Sequence, residues 1–414
     1  MAAIGICKQW LFLSCDTKLI AAHTQQDSEP FVFDCSAAEK KEKHPKSDNS
    51  LSLAEETESD KVLAFTISPS GNLVALTDDS KRLVLFRCER SWKCVSTRWL
   101  VRRGTSLVFT WTEDEVLVAD KSGDVYSFSV VDQEREGELK MGHLSMVLAV
   151  TMSLNDKYII TADRDEKIRV SHLRSPYNIQ SFCLGHQQFV SSLLVPSGHP
   201  HWLLSGSGDG TMKLWDFTSG KKLHSWDLQQ LEEGLGSDSE KKLTVCQITS
   251  SPDGCHIAVQ CDRVSTIQFF TLHQDDEEKK FVPHSRLSLP FCPLDMAFDP
   301  EGRLWVLMDS CETLLQIYKL EQSSWKREAE SPELKRVTEA FKPHWQSLDA
   351  SARTSSRFEH LYKETFDNVA EYLEKKQHRL AEQQQKRRSM GQKDGGKKKA
   401  RKEMLEAVVD VSST

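Results

Sequence analysis

Apolar residues along this chain come in short runs separated by polar turns, and the runs recur at a steady interval. The clearest instance is GHQQFVSSLLVPSGHPHWLLSGSGDGTMKLWD, residues 185–216. It holds Gly-His at 185–186, apolar runs at 189–195 and 202–205, a tight turn at Asp209-Gly210-Thr211, and Trp215-Asp216. Runs of this length, bounded by Gly, Pro, Asp and Ser, predict strands rather than helices. The scheme returns in 62–86, 106–130, 142–172, 244–270 and 294–320, and strand-like runs at 10–14, 19–22 and 31–34 supply one more unit. A spacing of roughly 40 residues is the period of a propeller with four-stranded blades. The pattern therefore predicts an all-β protein, a seven-bladed WD-repeat β-propeller, over residues 1–325.

The 185–216 unit predicts its own lock. His186, the turn residue Asp209, a strand hydroxyl (Ser205 or Ser207) and Trp215 can meet in one buried polar network that ties a hairpin to the loop before the blade. His143 repeats the Gly-His position one blade earlier. These four residues, His143, His186, Asp209 and Trp215, are assigned structural roles. The counterpart of Trp215 is Leu85, Ser171 or Phe269 in other units. Strand geometry should therefore persist while the lock is lost in most blades.

The pattern breaks in defined places. Residues 36–60 are charged and nearly devoid of large apolar side chains, which predicts a disordered loop. Residues 226–243 and 271–286 read as polar loops, and 326–356 as a linker. Phe358, Leu361, Tyr362, Phe366, Val369, Tyr372 and Leu373 then recur at three- and four-residue steps. That periodicity predicts a C-terminal α-helical extension over 357–388, followed by a disordered basic tail over 389–414.

Charge changes the picture most at that end. Net charge is −7 over 414 residues, yet 379–402 carries ten Lys/Arg and two acids. An acidic body with a basic tail suits a polyanion or an import receptor. KRR (386–388) and KKKARK (397–402) read as nuclear-import signals, which points to the nucleus and leaves a cytoplasmic share open. No apolar run is long enough to span a membrane, so no membrane partner is expected. The start of the chain reads as a strand, not a leader. The eleven scattered cysteines show no zinc spacing and read as small buried hydrophobes.

Enzyme signatures are missing. GSGDG (206–210) precedes a strand, not a helix, so it is not a phosphate loop. There is no GxSxG and no HExxH. What stands out is charge in the turns of one propeller face: Asp79, Lys81 and Arg82, then Arg102 and Arg103, then Lys121, then Asp163, Arg164, Asp165, Glu166, Lys167 and Arg169. Either this is a solvated face or it is a docking site whose alternating signs set partner and orientation. Arg169 also has a packing role open to it, replacing the missing Trp-centred lock through Asp163 or Asp165.

The stretches LTDDSKRLVLF, VLVADKSGDVYSFSV, GHLSM, ITADRDEKIRVS and FCLGH, with FEHLYKETFDNVAEYLEKK near the C-terminus, resemble the WD-repeat non-catalytic subunit of the eukaryotic tRNA guanine-7-methyltransferase, in its vertebrate form. The resemblance covers about 60–370 and is weaker at the N-terminus and in 226–290. It implies a heterodimer with a Rossmann-type methyltransferase, which holds S-adenosyl-methionine and forms 7-methylguanosine in the variable loop of certain tRNAs. This chain would hold no cofactor and no metal, and would stabilise its partner and help present tRNA. The family's partner contacts fall here on Arg103, Lys121, Asp163, Arg164, Asp165, Glu166, Lys167 and Arg169. With tRNA as the second partner, the basic extension is assigned to its phosphates through Lys375, Lys376, Arg379, Lys386, Arg387 and Arg388.

Three other readings stand beside this one. The chain could be a generic scaffold, such as a ubiquitin-ligase substrate receptor with further nuclear partners. It could bind nucleic acid without an enzyme, or be an enzyme itself. Methylation of tRNA by the chain alone, only with an added subunit, or not at all separates them.

Overall fold

A computed structural model describes residues 2–40, 59–89, 91–231, 243–274, 279–310, 313–344 and 356–363, together with Lys376 and Arg379. Its strands form seven four-stranded antiparallel sheets, each built from consecutive strands. Blade 1 comprises β1 (Ala3–Cys7), β2 (Trp10–Cys15), β3 (Lys18–His23) and β4 (Phe31–Asp34). Blade 2 comprises β5 (Val62–Ile67), β6 (Leu73–Asp78), β7 (Arg82–Cys88) and β8 (Trp92–Trp99). Blade 3 comprises β9 (Gly104–Phe109), β10 (Glu115–Asp120), β11 (Asp124–Ser129) and β12 (Glu138–Gly142). Blade 4 comprises β13 (Val147–Met152), β14 (Tyr158–Asp163), β15 (Ile168–His172) and β16 (Ser175–Cys183). Blade 5 comprises β17 (Val190–Leu194), β18 (Trp202–Ser207), β19 (Thr211–Asp216) and β20 (Lys221–Asp227). Blade 6 comprises β21 (Val245–Ser250), β22 (His256–Cys261), β23 (Thr266–Gln274) and β24 (Lys279–Ser288). Blade 7 comprises β25 (Pro293–Phe298), β26 (Leu304–Met308), β27 (Leu315–Glu321) and β28 (Ser324–Arg327).

The first strand of each blade packs against the first strand of the next, and β25 packs against β1, so these strands ring the centre. Second strands are covered on both faces, which is why β6, β14 and β18 are buried at every position. Each junction between neighbouring blades holds its own apolar cluster. Blades 4 and 5, for example, share Ile160, Val170, Leu203, Trp215 and Phe217. A ring of this kind is stabilised by these junctions one at a time, and its weak point is where the chain ends meet.

Here no strand is exchanged to close the ring, since blade 1 and blade 7 are each complete from their own sequence. Helix α1 (Pro332–Phe341) does that work. Leu334, Val337 and Phe341 lie in the same cluster as Ile4, Leu13 and Ile20 of blade 1 and Trp305 and Ile317 of blade 7. The helix begins well: Ser331 caps Leu334 N, Pro332 sits in the first turn, and Glu333 lies near the positive end. Polar ties flank it. Glu333 accepts from Arg303 Nη1 at 2.6 Å, and Arg336 donates to Asp27 and, at 2.6 Å, to Thr24 O.

Several sequence expectations change. The stretch 326–356, read as a linker, contains the end of β28 and all of α1. Leu334, Val337 and Phe341 do recur at helical spacing there, but over only ten residues set between charged stretches. The stretch 271–286, read as a loop, lies largely in the β23–β24 hairpin, whose outer strand sets buried Phe281 and Leu287 among polar residues and so shows no continuous apolar run. The helix expected from residue 357 does not begin there: 357–362 form turns and one 3-10 turn, Glu359–Leu361. Its later part, and the basic tail, lie outside the described residues, apart from helical Lys376 and Arg379. Of the expected loop 36–60, residues 41–58 also lie outside; its two ends are held by Arg82, as described below.

Candidate partner-docking face

On one face of the ring, the turn after the second strand of blades 2 to 6 is stitched to the loop that enters the same blade. Asp79 N donates to Lys61 O (3.0 Å), Lys121 N to Arg103 O (3.0 Å), Arg164 N to Met146 O (2.9 Å), Gly208 N to Phe189 O (2.9 Å) and Asp262 N to Thr244 O (2.8 Å). Buried backbone groups need partners, and here the partners come from a neighbouring loop. The stitching brings Arg103 and Lys121 side by side and sets the blade 4 turn, 163–167, beside the entry loop of its own blade. The same turn position takes left-handed backbone in four blades: Lys81 (φ 65), Gly123 (φ 98), Glu166 (φ 71) and Gly210 (φ 77). At Gly123 a side chain is impossible, because a Cβ would lie 2.5 Å from Ser145 O. At Glu166 there is a non-glycine residue in a conformation that glycine usually holds, and its carboxylate is carried at the tip of the turn.

The predicted docking residues do not share one role. Lys121 and Lys167 are exposed, and Arg103, Arg164, Asp165 and Glu166 are half-exposed. Arg103 Nε donates to Asp79 O at 3.0 Å, which holds it toward blade 2. Asp163 is a correction: it is 2% exposed and belongs to the interior. Its Oδ2 lies 3.0 Å from His143 Nδ1, and its Oδ1 accepts the amides of Asp165 (2.9 Å) and Lys167 (3.0 Å). Arg164 spends its guanidinium inside the chain, donating to Leu361 O (3.0 Å) and His360 O (3.4 Å).

Arg169 is also claimed by packing. Its Nε donates to Ser171 Oγ (3.0 Å), Nη1 to Gly142 O (3.1 Å) and Nη2 to Pro176 O (2.9 Å). It thus joins β15 to the end of β12 and the start of β16. Ser171 stands at the Trp215 position, since it pairs with Ile159 as Trp215 pairs with Leu203. None of these bonds reaches His143, Asp163 or the Thr161 hydroxyl, so Arg169 packs the blade and does not replace the indole's bond to the lock, which in blade 5 runs from Trp215 Nε1 to Ser205 Oγ.

The locks themselves are better kept than the sequence suggests. In blade 5, His186 Nδ1 lies 3.0 Å from Asp209 Oδ2 and its Nε2 lies 2.7 Å from Ser205 Oγ, which also accepts Trp215 Nε1 at 2.8 Å. Ser205, not Ser207, is the hydroxyl of this network. Burial lowers the His186 pKa, against the raising effect of Asp209. Burial pushes Asp209 upward, but hydrogen bonds from His186, Thr211 and Gln187 outweigh it and hold the carboxyl well below its usual range. Blade 4 keeps the His143–Asp163–Thr161 part, with His143 Nε2 2.8 Å from Thr161 Oγ1. Blade 2 uses Arg82, which the sequence placed on the charged face and the structure buries completely. Arg82 pairs with Asp78 (2.7 Å) and Asp60 (2.6 Å) and donates to Cys35 O, Ala38 O and Glu39 O, pinning both ends of the 41–58 stretch.

Two features of this face escaped the sequence. Leu144 is fully exposed, and Val101 and Leu184 are 63% and 61% exposed, all in loops that enter blades 3, 4 and 5. Apolar side chains beside Lys121 and Lys167 make a mixed surface of the kind that interfaces use as anchors. Single leucines in loops leave no periodic signal. The other feature is residues 356–362, which lie on blades 4 to 6. Phe358 stacks on Phe189 (5.8 Å, 14°), and Tyr362 meets the same ring edge-on at 5.1 Å. Of the predicted RNA contacts, Lys376 and Arg379 are exposed; Lys375, Lys386, Arg387 and Arg388 lie outside the described residues.

Comparison with known proteins bears on this geometry. The model of the tRNA methyltransferase TRM82 WD40 domain matches residues 14–140 and 132–336. The tRNA (guanine-N(7)-)-methyltransferase non-catalytic subunit wdr4 of Danio rerio is 53% identical over 407 residues, covering 97% of this chain and 98% of that one. The corresponding Homo sapiens subunit WDR4 is 42% identical, covering 90% and 89%. The subunit wuho of Drosophila pseudoobscura pseudoobscura is 32% identical, covering 78% of each. Among solved structures, the RRP9 WD40 repeats superpose with a TM-score of 0.58 at 16% identity, covering 74% of this chain and 86% of that one, which speaks for the fold alone. The resemblance carried by ADKSGD and ADRDEKIRVS is thereby borne out, and the chain belongs to the family of tRNA (guanine-N(7)-)-methyltransferase non-catalytic subunits.

Proposed function

We propose that this chain is the non-catalytic subunit of a tRNA guanine-7-methyltransferase, and that it holds the catalytic subunit on the face formed by the entry loops and turns of blades 3 and 4. The observation that carries the site is the grouping of Lys121, Lys167, Asp165 and Glu166 with exposed Leu144 on turns that are hydrogen-bonded into the ring. A rigid frame spares the entropy of ordering loops on binding. The apolar side chains supply buried area, and the charges set orientation and exclude wrong partners. In this reading S-adenosyl-methionine and the methyl transfer belong to the catalytic subunit. This chain keeps that subunit folded and brings tRNA to it through the basic extension after residue 363, including Lys376 and Arg379.

Charge reversal tests the docking face. Lys167→Glu together with Lys121→Glu should reduce co-purification of the catalytic subunit by more than tenfold, because each reversed pair at a desolvated contact costs about 2–5 kcal/mol. The propeller's own unfolding should not change. Wild-type recovery of the complex would refute the assignment. tRNA binding should weaken steeply with salt, as backbone contacts release counterions. KRR (386–388) and KKKARK (397–402) support nuclear import, tested by replacing both with alanine and following the protein's distribution.

A further inference from the structure

Residues 356–362 are held by three blades at once. Phe189, Thr244 and Met146 each precede the innermost strand of blade 5, 6 or 4, so the segment lies over the inner edge of these three blades. Phe358 and Leu361 are buried against Phe189, with Met146, Leu148 and Cys246 around them. Polar groups complete the hold. Tyr362 Oη donates to Gly208 O at 3.2 Å and shares a hydrogen bond with Thr244 Oγ1. Ser356 Oγ donates to Asp262 Oδ2, Arg357 Nη2 to Cys246 O (3.4 Å), and Arg164 Nε to Leu361 O (3.0 Å). Arg164 belongs to the blade 4 turn that also carries Glu166 and Lys167.

We propose that residues 356–362 are a positioning anchor: they fix the exit point of the basic extension beside the docking turn, and thereby set how tRNA is presented to the catalytic subunit. Phe358 and Tyr362 act through the extension and touch neither RNA nor cofactor. The inference rests on the reading of the extension as an RNA contact. Its consequence is one of tether length. With the anchor seated, Lys376 follows the held residue Tyr362 by 14 positions along the chain; with it released, the count runs from His344 and is 32. Effective concentration falls as about the −3/2 power of tether length, so release lowers it about threefold. Loss of direction at the exit point adds to this.

The test uses the full chain with the catalytic subunit and compares four forms. Phe358→Ser with Tyr362→Ala should leave heterodimer yield unchanged and raise KM for tRNA at least threefold, with kcat near wild type. A Gly/Ser insertion of about twenty residues after Tyr362 keeps every anchor contact and should raise KM by a similar factor, which covers the case where the first variant folds poorly. Truncation after Tyr362 should raise KM further, and the anchor substitutions should add nothing in that background. If truncation raises KM but the substitutions and the insertion do not, the anchor inference is overturned while the RNA reading stands. If truncation itself leaves KM unchanged, the RNA reading fails. If the substitutions release the catalytic subunit, the segment belongs to the docking face and the inference falls.

Discussion

Replacing Arg169 with leucine separates docking from packing. The guanidinium serves Ser171 Oγ, Gly142 O and Pro176 O. Gly142 is exposed, so water can take over that bond at little cost. Ser171 is fully buried and Pro176 is buried, and each loses a charged donor that nothing replaces. An unsatisfied buried acceptor costs about 1–3 kcal/mol. Part of this is regained because leucine leaves no ion to desolvate. The expected loss for Arg169→Leu is therefore about 2–4 kcal/mol, read as a lower urea midpoint at an unchanged slope for the isolated chain. Recovery of the catalytic subunit should fall only as far as the unfolded fraction accounts for. Arg169→Lys should restore little, because one ammonium cannot span three divergent acceptors. Lys167→Glu should show the opposite pattern, with intact stability and lost docking. If Arg169→Leu unfolds like wild type yet fails to recover the partner, the packing assignment is wrong and Arg169 is a docking residue.

Three further outcomes follow from particular contacts. Leu144→Ser should weaken capture of the catalytic subunit about tenfold without moving the urea midpoint; equal capture would remove Leu144 from the interface. Phe341→Ala empties the centre of the clasp between blades 7 and 1 and should cost about 3–5 kcal/mol, seen in thermal unfolding; a loss under 1 kcal/mol would mean α1 does not close the ring. Burial pushes the Asp295 carboxyl up to about 6, against hydrogen bonds from Ile4 N (2.7 Å) and Met296 N (3.0 Å). Its folded value lies above the unfolded one, so the folded chain binds the proton more tightly and stability falls as pH rises between about 4 and 6. Asp295→Asn should flatten that window and raise stability at pH 7.5 by about 1–3 kcal/mol; an unchanged pH profile would rule this out.

Local order was legible where a short-range pattern carried it. The seven blades show as repeated strand–turn–strand units because a strand buried on both faces is built from apolar and small residues with few long polar ones, as in WLLSGS or YIITAD. The lock of blade 5 was readable because all its members lie between His186 and Trp215. Outer strands such as β24 were not readable, because Pro283, His284, Ser285 and Arg286 separate its two buried apolar residues, Phe281 and Leu287.

The sequence by itself determined the blade count, the tight turns and the charged face of blades 3 and 4, since each depends on residues within about 40 positions of one another. Only the tertiary structure decided which charges are withdrawn from that face. Asp163, Arg164 and Arg82 read as surface charges, and each is taken up by a group from elsewhere in the fold: His143, Leu361 and Cys35. Arg169, for which the sequence left packing open, is taken up within its own blade by Pro176. The same holds for the two segments after blade 7. Their few apolar residues cannot bury themselves, so α1 and residues 356–362 take places that the assembled blades offer, one on the seam between blades 7 and 1 and one on the inner edge of blades 4 to 6.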